Sequence, residues 1–428
     1  MKRALVLSGG GAKGAYQIGV WKALNKLGKK IDIVTGTSIG SINAAMFAQK
    51  KYFKSKYLWL NLKTSDLFDY DTTKSIIENK NNIETMILNK GLSNEKMTKY
   101  LNGLINEDKV RKSKIKYGLV TYNLKTKSPR CLSIDEIPRG KLVDYVIASS
   151  TCFPAIEKKE IDGEYYIDGG FYDNMPINLA VDMGADEVIA VDLSVLAFNQ
   201  KVKEKDIKID LIKMRDKKLF TLDFSRKNAE KLIALGYFDT LKYYNKLEGN
   251  IYTFKRGSLL KNYNNIKEYY VDLLNYILLT KHSNALMKQI FKISKYNKIF
   301  YDLKQGKNIE KIINDSMEYL GKIFNINDTK LYSNNSFNKV LLSKVCELNY
   351  VNDSKNLKGK MLVSYIYNKY MNSNDREKEV KELFNMALIF QKDFLAALYL
   401  ISISKKYTLY LKSKEEYMEL YKNAYDVK

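Results

Sequence analysis

The sequence predicts an α/β domain in the first half of the chain, followed by a mainly helical C-terminal extension. All four prolines and 16 of the 22 glycines lie before residue 200, where short apolar runs alternate with amphipathic segments. This distribution of turn residues and apolar runs is typical of layered α/β domains. The rest of the chain has few helix breakers and shows helical periodicity, as in Tyr269–Leu279 and Glu379–Leu400. We therefore predict one domain over residues 1–250 and a helical region over residues 251–428.

The first elements follow from the apolar pattern at the start of the chain. Ala4–Leu7 is predicted to be a buried strand, and the glycines after it lead into an amphipathic helix from Ala15 to Leu27. Ile31–Val34 is predicted to be a second strand. The glycine-bounded segment Gly36–Gly40 then opens another helix. Residues 50–115 are polar and helical in character, and we interpret them as a cap over a site.

The later elements of the α/β domain are marked by turn residues. Tyr117–Tyr122 and Arg130–Ser133 are predicted to be paired strands, and Asp162-Gly163 is predicted to be the turn of a β-hairpin. A helix over Ile177–Met183 is then followed by a strand over Glu187–Asp192. The domain therefore contains strands both before and after the cap.

The composition excludes several classes of protein. With 45% hydrophobic and 28% charged residues among 428, the chain can bury a sizeable core and is neither disordered nor collagenous. Its three cysteines, Cys131, Cys152 and Cys346, form no CxxC pair, which fits a reducing compartment and argues against a zinc site. A single histidine, His282, excludes a metal centre with several histidine ligands.

The net charge of +24 favours anionic partners, and it is unevenly placed. Residues 1–200 carry a net +7 and residues 201–428 a net +17. Because the lysines are dispersed, a solvated basic surface is the simpler interpretation, and no nucleic-acid-binding module is visible. No run reaches the 18 or so apolar residues of a membrane span, and the start lacks the apolar core of a signal peptide. We expect a cytoplasmic chain, with salt-sensitive peripheral contact between the basic second half and an anionic membrane as a hypothesis.

The first chemical motif is a glycine-rich loop, Gly9–Gly14, between the first strand and helix. Its backbone N–H groups and the helix N-terminus after it could hold a phosphate or a developing oxyanion. The loop also matches GxGxxG, with Asp32 as the ribose ligand, so a nucleotide-binding oxidoreductase is a rival interpretation. Asp32 lies at the start of its strand, however, whereas that carboxylate should lie at the end.

The second motif, Gly36–Gly40, is a GxSxG sequence that predicts an exposed nucleophile, Ser38, on a sharp strand-to-helix turn. A helix cap by Ser38 is the structural alternative. His282 lies in a polar segment of the helical half and is a poor candidate for the base, so we expect a carboxylate. Asp168, which starts Asp168-Gly169-Gly170, can supply it, although an ordinary Asp-Gly turn is the alternative.

Taken together, the motifs resemble the patatin-like phospholipase family, in particular its bacterial members. The resemblance covers residues 1–200 and extends to Gly236-Tyr237; we recognise no family in residues 250–428. It rests on the following segments: Leu5–Tyr16, Gly36–Ser41, Ala148–Ser150 leading to Phe153-Pro154, and Asp168–Gly170 followed by Phe171–Pro176 and Gly184–Asp186.

The resemblance implies a three-layer α/β/α sandwich with a mostly parallel central sheet. It also implies a phospholipase A or lysophospholipase type of hydrolase in which Ser38 is the nucleophile and Asp168 accepts its proton, without metal or cofactor. Gly36 and Gly40 would shape the elbow, and Gly169 and Gly170 would complete the aspartate motif. The oxyanion and substrate-binding loop would comprise Gly9, Gly10, Gly11, Ala12, Lys13 and Gly14, with the amides of Gly10, Gly11 and Ala12 as donors.

Other implications concern substrate and role. Lys13 would either hold the loop or face a lipid phosphate, and the cap could line an apolar groove for the acyl chain. The substrate would be a phospholipid or lysophospholipid, and no nucleic acid is expected. The alternative function is a catalytically silent membrane- or partner-binding protein on the same scaffold.

Overall fold

The computed structural model describes residues 1–67, 92–215, 223–279, 308–346, 357–373 and 390–404. The chain divides into two compact units, Met1–Tyr244 and Asn245–Lys428. The first unit contains all three motifs. Among the helices of the described ranges, none is both long and apolar enough to cross a bilayer.

The first unit is built on one mixed sheet whose strands run in the order β5-β6-β3-β2-β1-β7-β8, with β4 also paired to β3. Neighbours among β3, β2, β1, β7 and β8 are parallel, whereas β4, β5 and β6 join by antiparallel pairs. The strands are β1 Arg3–Leu7, β2 Ile33–Thr37, β3 Lys116–Asn123, β4 Ser128–Ser133, β5 Lys159–Ile161, β6 Glu164–Asp168, β7 Glu187–Asp192 and β8 Lys208–Lys213.

Helices cover both faces of this sheet. Because successive strand residues point to opposite faces, Leu5 and Leu7 enter one large apolar core while Ala4 and Val6 enter a smaller one with helix α8. The helices are α1 Ala15–Lys26, α2 Ile39–Ala48, α3 Tyr52–Asn61, α4 Thr64–Leu67, α5 Glu95–Asn102, α6 Glu107–Arg111, α7 Leu142–Ser149, α8 Ile177–Asp182 and α9 Arg226–Tyr243. The predicted three-layer α/β/α sandwich with a mostly parallel sheet is confirmed.

The predicted strand pair and hairpin are confirmed as β3–β4 and β5–β6. Asp162 and Gly163 form the hairpin turn with φ of 52° and 81°, as a two-residue turn requires. The second strand extends to Thr37 rather than ending at Val34, so it runs directly into the Ser38 turn. Of the predicted cap, residues 68–91 lie outside the described ranges; the rest forms α3 to α6.

The second unit is mainly helical, as expected, and has its own apolar core. Its helices are α10 Ser258–Leu279, α11 Ile309–Ile323, α12 Asn334–Cys346, α13 Lys360–Asn372 and α14 Gln391–Ile403. Helix α14 is buried from Phe394 to Ser402, so the longest apolar run of the sequence serves as a core helix. A small sheet of β9 Leu247–Glu248, β10 Thr253–Lys255 and β11 Leu331–Tyr332 was not predicted, because strands of two or three residues show no periodicity.

Candidate active site

Ser38 lies on a strained turn between β2 and α2. Its φ of 56° and ψ of −131° are unfavourable for a residue with a side chain, and such strain concentrates at functional sites. A Cβ at Gly36 would collide with the Gly40 carbonyl, and a Cβ at Gly40 would collide with the Leu7 carbonyl. Both glycines of the predicted elbow are therefore required by close backbone packing.

Hydrogen bonds from outside the turn hold Ser38 in this conformation. The Ser38 N–H donates to Ser149 Oγ at 3.0 Å, and the Ser149 hydroxyl donates to the Val120 carbonyl at 2.6 Å. On the other side, the backbone N–H and the hydroxyl of Ser41 both donate to the Ser38 carbonyl, at 2.8 and 2.7 Å. Ser149 thus connects the elbow to strand β3.

Asp168 is the last residue of β6 and is placed beside Ser38 by the sheet register. On β3, Val120 pairs with Thr37 and the next residue, Thr121, pairs with Asp168. Strand β4 pairs with the other edge of β3 over these positions, so β2 and β6 meet end to end on one edge. The Ser38 and Asp168 side chains line the same cavity, and interaction with the Ser38 side chain favours the ionised form of the Asp168 carboxylate.

The Asp168 carboxylate is buried, and its backbone is fixed. Its N–H donates to the Thr151 carbonyl at 2.8 Å, and its Oδ1 accepts the Gly170 N–H at 2.7 Å. Burial raises the pKa of Asp168 to about 6, although the interaction with Ser38 and the hydrogen bond from Gly170 act in the opposite direction. A carboxylate with this pKa is a stronger base than an exposed one at about 3.9 and is still ionised at neutral pH.

The glycine-rich loop contributes two residues to the same cavity. Gly10 and Gly11 line it together with Ser38 and Asp168, and both have the positive φ values that glycine tolerates. The Gly9 N–H donates to the Asn174 carbonyl at 3.2 Å, and the Lys13 N–H donates to the Gly10 carbonyl at 3.2 Å. Gly9, Ala12, Lys13 and Gly14 are not among the cavity-lining residues. The roles assigned to the loop stay predictions.

The cavity has a volume of about 410 Å³ and a mostly apolar wall. Its apolar lining comes partly from α2 and partly from the predicted cap, which fits an elongated hydrocarbon ligand. The α2 residues are Ile39, Ile42 and Met46, and the cap residues are Leu58, Trp59, Leu62, Leu67, Met97, Tyr100, Leu101 and Leu104. Trp59 is fixed by a hydrogen bond from its Nε1 to Asn43 Oδ1 at 3.0 Å and by stacking on Phe224.

Three residues that shape the site have no predicted role. Ser149 holds the elbow, and the Asp173 carbonyl accepts the Thr37 hydroxyl at 2.8 Å, which fixes the segment after Asp168 against β2. Burial raises the pKa of Asp173 to about 6. Asn174 lines the cavity beside Gly170. These residues lie in segments that carried the family resemblance, but no local pattern shows which hydroxyl or amide reaches the elbow.

Three residues had alternative predicted roles: Asp32, His282 and Lys13. Asp32 precedes β2, where its carboxylate accepts the Arg3 N–H at 3.2 Å and pairs with Lys30 at 3.1 Å, so it lies at the strand end away from Ser38. The dinucleotide interpretation therefore lacks its ribose ligand there. His282 lies outside the described residues. Lys13 is 3% exposed, which does not support contact with a lipid phosphate.

Comparison with known proteins finds a family match within the first unit. Residues 5–181 match the family model described as patatin-like phospholipase. The chain is 30% identical over 198 residues to mouse patatin-like phospholipase domain-containing protein 7, a match that covers 44% of this chain and 13% of that protein. It is 29% identical over 194 residues to lysophospholipase nte1 of Aspergillus terreus, covering 44% of this chain and 12% of that protein.

The match spans about an eighth of the length of these curated relatives. They are animal and fungal proteins, so the specific resemblance to bacterial members stays a prediction. Among solved structures, VipD from Legionella pneumophila aligns with 97% of this chain and 93% of its own, at 12% identity and a TM-score of 0.31.

Proposed function

Because residues 5–181 belong to the patatin-like phospholipase family, we propose that this chain hydrolyses carboxylic ester bonds of phospholipids or lysophospholipids. The observation that carries the proposal is the placement of Ser38 beside the buried Asp168 in one apolar cavity, where β2 and β6 meet on the edge of β3. Ser38 is the proposed nucleophile and Asp168 the proposed general base. The relatives' names support a lipid hydrolase, and the cavity supports an acyl substrate.

In the acylation step, Ser38 Oγ attacks the ester carbonyl carbon while its proton passes to Asp168. The raised pKa of Asp168 reduces the difference in pKa between this carboxyl group and the serine hydroxyl. Proton transfer by a positioned base contributes roughly 10²–10⁴-fold to the rate. The leaving alcohol, which is the lysophospholipid or the glycerophosphodiester product, departs with that proton. An acyl-enzyme ester on Ser38 remains.

Charge that develops on the carbonyl oxygen needs hydrogen-bond donors. Gly10 and Gly11 are the predicted donors that reach the cavity wall. Loss of one such donor typically costs about 3–4 kcal/mol of transition-state stabilisation. The neighbouring Gly9 and Lys13 amides are used to hold the loop, which supports a fixed orientation for the donors.

The second step releases the fatty acid. A water molecule attacks the acyl-enzyme carbonyl, Asp168 takes its proton, and the Ser38 oxygen leaves and recovers that proton. The acid product and free enzyme result, so atoms and charges balance without a metal or organic cofactor. The apolar wall holds the acyl chain during both steps.

The test compares the wild type with Ser38→Ala and Asp168→Asn on a phospholipid, a lysophospholipid and a short-chain ester. We expect each variant to lose about three orders of magnitude in kcat/KM. The control is Asp162→Asn, the same substitution on the same hairpin at an exposed turn whose φ asparagine tolerates. Asp162→Asn should retain wild-type activity.

Covalent labelling by a fluorophosphonate separates the nucleophile from the base. We expect the label on the peptide that contains Ser38, with labelling slowed in Asp168→Asn and unchanged in Asp162→Asn. A folded wild-type protein that hydrolyses none of the three esters and takes no label at Ser38 contradicts the proposed function. That result favours a catalytically silent binding protein.

A further inference from the structure

We propose that four exposed apolar side chains around the cavity entrance dock this protein on an anionic phospholipid surface. These side chains, Phe153, Phe171, Leu196 and Phe198, are called the apolar rim below. The inference rests on the proposed function, because it supplies the route by which a membrane lipid reaches Ser38. The proposed docking surface lies on the first unit, whereas the net charge of the sequence favours the basic second half.

All four side chains of the apolar rim are more than a third exposed. Leu196 is fully exposed, Phe198 is 68% exposed, Phe171 is 45% exposed and Phe153 is 39% exposed. Single exposed apolar residues need no explanation, but a cluster at one place marks an interaction site. Transfer of exposed leucine and phenylalanine side chains from water into hydrocarbon is favourable.

The cluster is formed by three loops that are distant in sequence. Phe171, Leu196 and Phe198 all line the cavity that contains Ser38, although each is exposed to solvent. Phe153 follows Cys152, another cavity-lining residue, and precedes Ile156 in the same loop. Three of the four rim side chains therefore belong to the cavity wall and are also exposed to solvent, so the apolar wall continues onto the outer surface there.

Hydrogen bonds fix the 194–200 loop so that it protrudes. The Phe198 carbonyl accepts the Asn174 N–H at 2.7 Å, and Gln200 Nε2 donates to the Tyr172 carbonyl at 2.9 Å. Before them, Ser194 donates through its N–H to Asp192 Oδ1 and through its hydroxyl to the Met214 carbonyl, both at 2.7 Å. Both ends of the loop are held, so Leu196 and Phe198 are presented outward on a defined backbone.

Charge and position identify the occupant as an anionic lipid surface. Four exposed lysines follow the protruding loop, Lys201, Lys203, Lys205 and Lys208. With Glu204 and Asp206 among them, residues 194–208 carry a net charge of +2. A lysine near an anionic membrane contributes attraction that salt screens. A protein partner on the apolar rim would close the entrance to the cavity, whereas a lipid surface both covers the rim and supplies substrate.

Vesicle flotation tests this inference without catalysis. The Ser38→Ala protein is floated with phosphatidylcholine vesicles, with and without phosphatidylglycerol. We expect binding that phosphatidylglycerol strengthens, and at least roughly tenfold weaker binding when Leu196→Ser and Phe198→Ser are added, given the hydrophobic gain of such side chains. The control is Leu211→Ser, at a residue 40% exposed on the edge strand β8, which should bind as the parent does.

A second variant tests the electrostatic contribution of the lysines to vesicle binding. Lys201→Glu with Lys203→Glu should weaken binding only to vesicles that contain phosphatidylglycerol, and raised salt should reduce the same component. Equal binding by the Leu196→Ser/Phe198→Ser protein and its parent overturns the inference, as does equal loss in Leu211→Ser. Thermal unfolding of each variant must match the parent for the comparison to hold.

The docking inference and the proposed function can fail separately. Hydrolysis of a dispersed short-chain ester by the wild type does not need a membrane surface. If that hydrolysis occurs and the apolar rim variants float as the parent does, only the docking inference is wrong. If flotation depends on the rim but no ester is hydrolysed, the surface binds lipid and the proposed function is wrong.

Discussion

Ser38 and Asp168 lie side by side because both are positioned by strand β3: Thr37 pairs with Val120, and Asp168 pairs with Thr121. The two residues are 130 positions apart in sequence. A register shift of one residue would turn the Asp168 side chain to the opposite face of the sheet. The antiparallel insertion of β6 at the end of β2 is therefore the feature of the fold that creates the proposed catalytic pair.

The pH dependence of hydrolysis should follow Asp168. The raised pKa of about 6 means that the carboxylate becomes protonated, and unable to accept the Ser38 proton, as the pH falls through 6. We expect kcat/KM for a dispersed ester to fall tenfold per pH unit well below that value. Asp173, with a pKa also raised to about 6, is the competing group. Asp173→Asn should leave the acid limb in place; if the limb disappears, its assignment to Asp168 is wrong.

Asp168 should also make the folded protein less stable at neutral pH. The pKa of Asp168 is raised in the folded state. The protonated carboxyl therefore contributes to the free energy of unfolding; this contribution is fully present below the unfolded pKa of about 3.9 and is lost as the pH rises through about 6. Asp168→Asn keeps an acceptor for the Gly170 N–H and removes the buried charge. The free energy of unfolding of this variant relative to wild type should rise by up to ~3 kcal/mol between pH 4 and pH 8. A difference that is constant with pH contradicts this account.

Gly9 should tolerate no side chain. An alanine Cβ there would lie 2.5 Å from Asn174 Oδ1 and 2.9 Å from Ser38 Cβ, so the elbow or the Asn174 segment must move. We expect Gly9→Ala to reduce kcat/KM by about a hundredfold or more, since small displacements of a nucleophile have effects of this size. Gly103→Ala, whose Cβ would meet only the Tyr100 carbonyl at 3.4 Å, should retain wild-type activity and thermal stability.

Ser149 should position the nucleophile without taking part in the reaction. Ser149→Ala leaves the Ser38 N–H and the Val120 carbonyl without their shared partner, which relaxes the strained turn. We expect kcat to fall by about tenfold to a hundredfold with little change in KM, since an interaction of about 1–3 kcal/mol is lost. Fluorophosphonate should still label Ser38. The control is Ser113→Ala, which removes a hydroxyl that likewise bridges a backbone N–H, that of Ile115, and a backbone carbonyl, that of Ala48, away from the cavity. An equal loss in Ser113→Ala argues against a specific role for Ser149.

Cavity volume should set the accepted acyl-chain length. Ile42 lies on α2 one turn beyond Ser38 and lines the cavity. Ile42→Trp fills part of that volume, so kcat/KM for a long-chain ester should fall at least tenfold while that for a short-chain ester changes little, because each excluded methylene forfeits about 0.8 kcal/mol. Ile42→Leu conserves volume and should behave as the wild type. Equal losses on both esters indicate damage to the elbow rather than a shorter site.

The parts of the site that depend on local structure can be predicted from the amino-acid sequence. A glycine-bounded Ser38 after a buried strand predicts a sharp turn, because Gly36 and Gly40 permit a backbone approach that no side chain allows. The continuous apolar run Ala4–Leu7 likewise predicted a buried strand, and the helical second half was predicted from the scarcity of helix breakers. Short-range sterics and periodicity are readable because they involve only near neighbours in the chain.

Tertiary structure alone decided which distant groups meet. The sequence offered Asp168 as a base and Asp162 as a similar Asp-Gly turn, but only strand pairing places one beside Ser38 and the other on an exposed hairpin. The support of the elbow by Ser149, and the convergence of three apolar loops at the cavity entrance, depend in the same way on sheet register and on which loops share an edge. Such contacts carry no local signal because a residue's partners across a sheet are set by the pairing of whole strands, not by the residues beside it.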